Sequence, residues 1–206
     1  MKELLARYPN LEVCKEDILK AKDALVACYE NGGKLILCGN GGSAADCDHI
    51  VGELMKGFLK KRPLSNDKKA QMLQKCPELD ENTLNNLQSG LPAVSLTTYN
   101  ALNTAFSNDV DPELLFAQGV LGLAKENDVL IAISTSGNSK SVSLAAKVAK
   151  SLGVKVIALT GRDGGVLRAL SDIAIIAPEQ ETYKIQELHL PIYHYLCAAV
   201  EDYFFG

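Results

Sequence analysis

Short apolar runs recur along the chain, at residues 34–38, 93–96, 129–133, 154–159 and 173–176. Each is bounded by glycine or polar residues, so each reads as a buried strand. Between the runs the apolar positions change period. Ile18, Ala21, Leu25 and Cys28 recur every three to four residues, which predicts helix across residues 1–31, stopped by Asn31-Gly32-Gly33. A second helix is predicted over 42–57. Asp111 as cap and Pro112 in the first turn start another, with Leu115, Phe116, Val120 and Leu123 on its apolar face. Further helices begin near Lys140 and after Gly165, and a long one closes the chain from about Gln180 to Tyr203. Strands alternating with helices predict an α/β fold: a five-stranded parallel sheet with helices on both faces and right-handed crossovers.

Residues 58–91 interrupt this alternation. Lys60, Lys61, Arg62, Lys68 and Lys69 make their first part basic, and Pro63, Asn66, Pro77 and Gly90 punctuate the stretch. Ser65 to Lys75, capped by Ser65 or Asn66, and Glu81 to Leu87 read as short helices. The segment is too short for a core of its own, so it reads as an inserted helical flap within a single domain of residues 1–206. Its charge reads as a solvated surface, with a phosphate-attracting lid as the alternative.

Composition narrows the function classes. The formal net charge is −4 over 206 residues, which gives no reason to expect nucleic-acid binding. Six scattered cysteines form no C-x-x-C pair and sit mostly in apolar segments, which suits reduced thiols in the cytoplasm. The N-terminus, with Lys2, Glu3 and Arg7, is not a signal peptide, and no apolar run is long enough to span a bilayer.

The chemistry gathers where strands end. The first run leads into Gly39-Asn40-Gly41-Gly42-Ser43, a tight turn at a helix start, where unpaired backbone N–H groups favour an anion. His49 and Glu53 follow four residues apart on one helix face. The third run leads into Ser134-Thr135-Ser136-Gly137-Asn138-Ser139, four hydroxyls and a glycine at another helix start. Helix capping explains one hydroxyl; four in six residues point to an anion such as phosphate, held without a lysine. The fourth run leads into Thr160-Gly161-Arg162-Asp163-Gly164-Gly165. In a parallel sheet all three turns lie at the strands' carboxyl edge, where ligands bind.

These three loops resemble those of the sugar isomerase (SIS) domain, and the set is most similar to the phosphoheptose isomerases. The resemblance covers nearly the whole chain outside 58–91. It implies conversion of sedoheptulose 7-phosphate to an aldoheptose 7-phosphate, in a cytoplasmic homotetramer that binds zinc. By the same resemblance Glu53 and His194 correspond to the catalytic pair. His49, Glu53, Gln186 and His194 correspond to the zinc ligands, the last two within Gln186-Glu187-Leu188-His189-Leu190-Pro191-Ile192-Tyr193-His194. Asn40, Gly41, Asn108, Asp109 and Gln186 are expected as substrate-binding residues, and Ser43, Ser134, Thr135, Ser136 and Ser139 correspond to phosphate contacts. Independently, ketose–aldose interconversion moves a proton between C1 and C2 through an enediol, for which a carboxylate and an imidazole suffice. A metal is a second way to stabilise the enediolate. His189 has no catalytic counterpart and reads as structural.

The chain departs from the family's pattern at three places: Tyr183 stands where the heptose enzymes carry an aspartate, Pro191 sits inside the last helix, and an arginine that often follows the first helix is missing, leaving Lys56 or the basic flap residues to replace it. The alternative function is a non-catalytic SIS module that binds a sugar phosphate or a protein partner; a lyase acting on an amino-sugar phosphate ether is weaker. Gln186 and His194 lie eight residues apart, about 12 Å along one helix, too far for one ion unless Pro191 kinks the helix or two subunits contribute. The closing helix is apolar on more than one face, which predicts a homo-oligomer, a tetramer, with shared sites.

Overall fold

The five apolar runs form five strands in the computed structural model, which describes residues 1–206. They are β1 (Leu35–Gly39), β2 (Ala93–Ser95), β3 (Val129–Ser134), β4 (Lys155–Thr160) and β5 (Ile173–Ile176). All pair in parallel, in the order β2-β1-β3-β4-β5. The order reverses between β1 and β3, which opens a crevice beyond their carboxyl ends. Side chains alternate across the sheet, so each run feeds two cores. Leu35, Leu37, Ile131, Ile133, Ile157 and Leu159 pack with α1 (Lys2–Arg7), α2 (Lys15–Glu30), α3 (Gly42–Met55) and α10 (Thr182–Phe205). Ile36, Cys38, Leu130, Ala132, Val156 and Ala158 pack on the other face with α7 (Leu115–Leu123), α8 (Lys140–Ser151) and α9 (Gly165–Leu170).

The first 31 residues are not one helix. A 3-10 segment, Pro9–Cys14, separates α1 from α2. Pro9 has no N–H for an α-helical bond and restricts Tyr8 before it, so the helix stops there. The helix expected over 42–57 ends at Met55, and α10 runs unbroken through Pro191 to Phe205. No helix is long and apolar enough to cross a membrane.

Between α3 and β2 stand α4 (Asn66–Lys75), α5 (Glu81–Asn86) and their connections. Ser65 caps α4 by accepting from the Lys68 amide at 3.2 Å, and Asp80 caps α5 by accepting from the Thr83 amide at 2.8 Å. α4 buries no residue and α5 buries only Leu84. The basic run before them is not all solvated. Arg62 is fully buried against Glu201 of α10, a correction to its reading as surface charge. After β2, α6 (Asn100–Asp109) packs on α7 and the Pro112–Leu114 turn and buries no residue.

Candidate active site

At the carboxyl edge of the sheet the three loops converge. Gly41 starts α3 with φ +58° and no side-chain cap. Its neighbour Asn40 reaches across to the second loop, donating from Nδ2 to Ser139 Oγ at 3.1 Å and Ser141 Oγ at 3.0 Å. Ser139 precedes α8, yet its hydroxyl does not cap that helix. Capping therefore does not account for it, and the amides of the first turn of α8 remain for a ligand. Ser43 and Ser134 are buried, while Thr135 and Ser136 are half-buried beside them. The third loop is welded to the second. The Gly161 amide donates to Thr135 O, the Leu167 amide to Gly137 O and the Val166 amide to Asn138 Oδ1, each at 3.0 Å. Gly137 has φ +66°, and a Cβ there would run into the Gly164 carbonyl, so this close approach requires glycine. Gln186 joins the same edge. Its amide lies over Gly42, where a Cβ would meet Nε2.

The residues expected as the acid–base pair sit elsewhere. α3 runs back across the sheet, so Glu53, eleven residues beyond Gly42, is about 16 Å along the axis. The adjoining Leu54 carbonyl accepts from the Leu91 amide at 2.9 Å, just before β2, at the sheet's amino edge. There His49 Nε2 lies 3.1 Å from Glu53 Oε1, and the His49 ring meets the His194 ring edge-on at 5.0 Å between centroids. Lys56 Nζ approaches Glu53 Oε2 at 3.3 Å, so this lysine is engaged by the carboxylate. His194 Nε2 is buried and has no hydrogen-bond partner. Burial, then the neighbouring His49, lowers the His194 pKa below its ordinary 6.5, with Glu53 opposing. The ring is therefore neutral at neutral pH and able to take or give a proton.

Two residues given no role in the sequence reading complete this cluster. The Tyr193 hydroxyl lies 3.0 Å from His49 Nδ1 and donates to Asp46 Oδ1 at 3.2 Å. With its proton directed at Asp46, the hydroxyl oxygen accepts from His49 Nδ1–H. Burial raises the Asp46 pKa, against the Tyr193 hydrogen bond and His49, and burial with Asp46 raises that of Tyr193. The only sequence signal was the spacing Asp46–His49, three residues apart on one helix face.

Some expected partners do not meet. Asn108 and Asp109 are exposed at the end of α6, bonded to each other at 2.8 Å and to neither loop nor pair. The four expected zinc donors divide in the same way: His49, Glu53 and His194 adjoin, while Gln186 lies at Gly42. No group of three or more His, Cys, Asp or Glu side chains is arranged to hold a metal ion. Within one chain this donor set does not fit a four-ligand zinc site.

His189 is buried between α10 and the sheet, with Nε2 3.0 Å from the Thr160 carbonyl. Desolvation lowers its pKa from 6.5 to about 4, against the hydrogen bond to Thr160. As pH falls, the unfolded chain takes up this proton first, so stability is intact above pH 6.5 and declines as pH drops towards 4. In urea titrations across that window, His189→Gln is expected to flatten the decline by roughly 3 kcal/mol. Equal slopes in the two proteins would contradict the assignment.

Comparison with known proteins agrees with this architecture. The SIS domain profile matches residues 74–198, and a second SIS domain profile matches residues 2–86. A phosphoheptose isomerase of Helicobacter pylori (strain Shi470) is 40% identical over 95% of this chain and 88% of its own length. That of Aliarcobacter butzleri is 37% identical over 98% and 95%. Among solved structures, phosphoheptose isomerase from Neisseria gonorrhoeae superposes with a TM-score of 0.73 at 32% identity, covering 98% of each chain. The enzyme from Francisella tularensis gives 0.78 at 31%, covering 98% of this chain and 93% of its own. The chain belongs to the SIS domain family and, within it, to the phosphoheptose isomerases, which makes it an aldose–ketose isomerase rather than a non-catalytic module.

Proposed function

We propose that the chain interconverts sedoheptulose 7-phosphate and an aldoheptose 7-phosphate by proton transfer through an enediol. The observation that carries this reading is the neutral His194 ring, its buried Nε2 unpartnered, against the His49–Glu53 pair. Glu53 moves the proton between C1 and C2, and His194 serves the two oxygens that exchange hydroxyl for carbonyl. His49, fixed at Nδ1 by Tyr193, orients the Glu53 carboxyl. The phosphate is taken by Ser43, Ser134, Thr135, Ser136 and Ser139 with the α8 amides. Asn40, Gly41 and Gln186 at the same edge face the sugar.

The reading includes assembly, because one chain places its phosphate loops and its acid–base pair at opposite ends of α3. A sugar phosphate held by one chain's loops is then served by another chain's Glu53 and His194, with Asn108 and Asp109 at the exposed end of α6 available to a neighbour. Exposed Tyr183, Leu190 and Tyr203 on α10 and the unburied faces of α4 and α6 support a homo-oligomer, a tetramer in this proposal. Zinc is carried here as an ion of the assembled protein, since one chain does not gather His49, Glu53, Gln186 and His194; no proton-transfer step depends on it. Six free cysteines, five of them buried, support a reducing compartment such as the cytoplasm.

A panel of ketose 7-, 6- and 5-phosphates, followed by aldose formation, tests the substrate. The seven-carbon ketose is expected to have a kcat/KM at least about tenfold above the shorter ones. Absence of turnover with every member, in the presence or absence of zinc, would overturn the proposal.

A further inference from the structure

The end of α3 that carries Glu53 is held by an ion pair with no exposed side-chain surface. Arg62 Nε donates to Glu201 Oε1 at 2.8 Å, and both side chains are 0% exposed. The last carbonyls of a helix lack intrahelical partners. Arg62 supplies two, donating from Nη1 to Leu54 O at 2.7 Å and from Nη2 to Glu53 O at 3.3 Å. Its guanidinium also lies 4.7 Å from the centre of the Phe205 ring. The other partner works on the following turn. Glu201 accepts from the amides of Phe58 at 2.8 Å, Leu59 at 2.7 Å and Lys60 at 3.1 Å. That turn places the Phe58 ring 5.5 Å from the His194 ring, tilted by 41°. Glu201 itself lies seven residues beyond His194, two turns along the same stripe of α10.

One ion pair therefore touches both halves of the acid–base pair. The guanidinium fork grips the backbone of Glu53, and the carboxylate fixes the turn whose phenylalanine packs on His194. An anchor for the flap alone needs neither contact. Burying two charges is costly, and apolar packing often stabilises as well. What apolar side chains lack is the fork's directed bonds to named backbone atoms.

We propose that Arg62 and Glu201 are positioning residues for the isomerase reaction, a clamp that sets Glu53 and His194 relative to one another across α3 and α10. The proposal rests on the reading of Glu53 and His194 as the acid–base pair. Displacement of a reacting group by about 1 Å costs on the order of a hundredfold in rate. The phosphate loops lie at the other end of α3, so substrate affinity stays as it is. Loss of the clamp thus appears in kcat and leaves KM alone.

The test uses Arg62→Lys and Glu201→Gln in the full-length protein, assayed well below their melting temperatures and with the oligomeric state checked against wild type. Lysine keeps a charge facing Glu201, but its single nitrogen cannot replace the three separate nitrogens that reach Glu201, Leu54 O and Glu53 O. Glutamine keeps the side chain's shape but only one acceptor oxygen, either for Phe58 and Arg62 at Oε1 or for Leu59 and Lys60 at Oε2, and turns its NH2 towards the other donors; it therefore loosens the turn and the ion pair together, and it decides the matter if Arg62→Lys does not fold. The expected result in either variant is a kcat about 10- to 100-fold lower with KM nearly unchanged. Wild-type kcat in either folded variant, alongside a Glu53→Gln control that has lost activity, overturns the clamp and leaves the acid–base assignment standing. Wild-type kcat in the Glu53→Gln control as well overturns both.

Discussion

Glu53→Gln is expected to lower kcat by about 10²- to 10⁴-fold, the range lost when a positioned general acid–base group is removed. Glutamine has nearly the same shape and still offers an oxygen and an N–H to His49, which lies 3.1 Å from Oε1. What it loses is the ability to take and return a proton at carbon. The contact with Lys56 at 3.3 Å is lost too, but that lysine side chain is 61% exposed, and exposed pairs contribute only about 0–1 kcal/mol. Melting temperature should therefore stay close to wild type. KM should also stay, because the phosphate loops are untouched. Solvent deuterium gives a second readout. Wild-type protein in D₂O should place deuterium at the carbon that gains a proton, and the variant should slow that incorporation in step with kcat. A variant that isomerises at the wild-type rate would place the carbon base elsewhere.

Much of the fold was legible because its causes are local. A short apolar run bounded by glycine is buried on both faces, and β1, β3 and β4 fall within a residue or two of the runs that predicted them. Ser65 caps α4 for the ordinary reason that a serine oxygen accepts from an amide three residues on. The break at Pro9 was also a local signal; it was outweighed by the apolar stripe of α2. Arg62 was a different case. In the sequence it ends the run Lys60-Lys61-Arg62, and a run of cations ordinarily reads as solvated. Its partner Glu201 is 139 residues away, so no spacing rule links them. Tyr193 likewise gains its place beside Asp46 and His49 only when α10 packs on α3. The residues proposed for the site came from the resemblance carried by the three loops and the closing-helix motif. Their division between two ends of α3 was not, because helical periodicity assigns residues to a face and the returning crossover decides which edge of the sheet they reach.

That division leads to the largest effect expected here, the recovery of activity from two inactive proteins. Ser136→Asp puts a carboxylate into the loop proposed to take the phosphate dianion, where juxtaposed like charges cost several kcal/mol, which is expected to abolish useful binding. Glu53→Gln leaves that loop intact and removes the proposed base. If a chain's own loops and its own Glu53 made one site, mixing the two proteins would restore nothing. The two groups are instead separated by the length of α3, while Gln186 lies with the loops at Gly42 and His194 lies with Glu53 through His49. A site assembled from two chains takes its loop from the Glu53→Gln chain and its acid–base pair from the Ser136→Asp chain. After dissociation and random reassembly at equal amounts, about one quarter of the sites in a closed homo-oligomer have both wild-type parts. Activity near that fraction of wild type is the expected outcome. Glu53→Gln mixed with His194→Ala supplies the control, since those two residues adjoin within one chain and no reassortment yields an intact pair. Activity in the control mixture but not in the first would place Glu53 and His194 on different chains and refute the division drawn from α3.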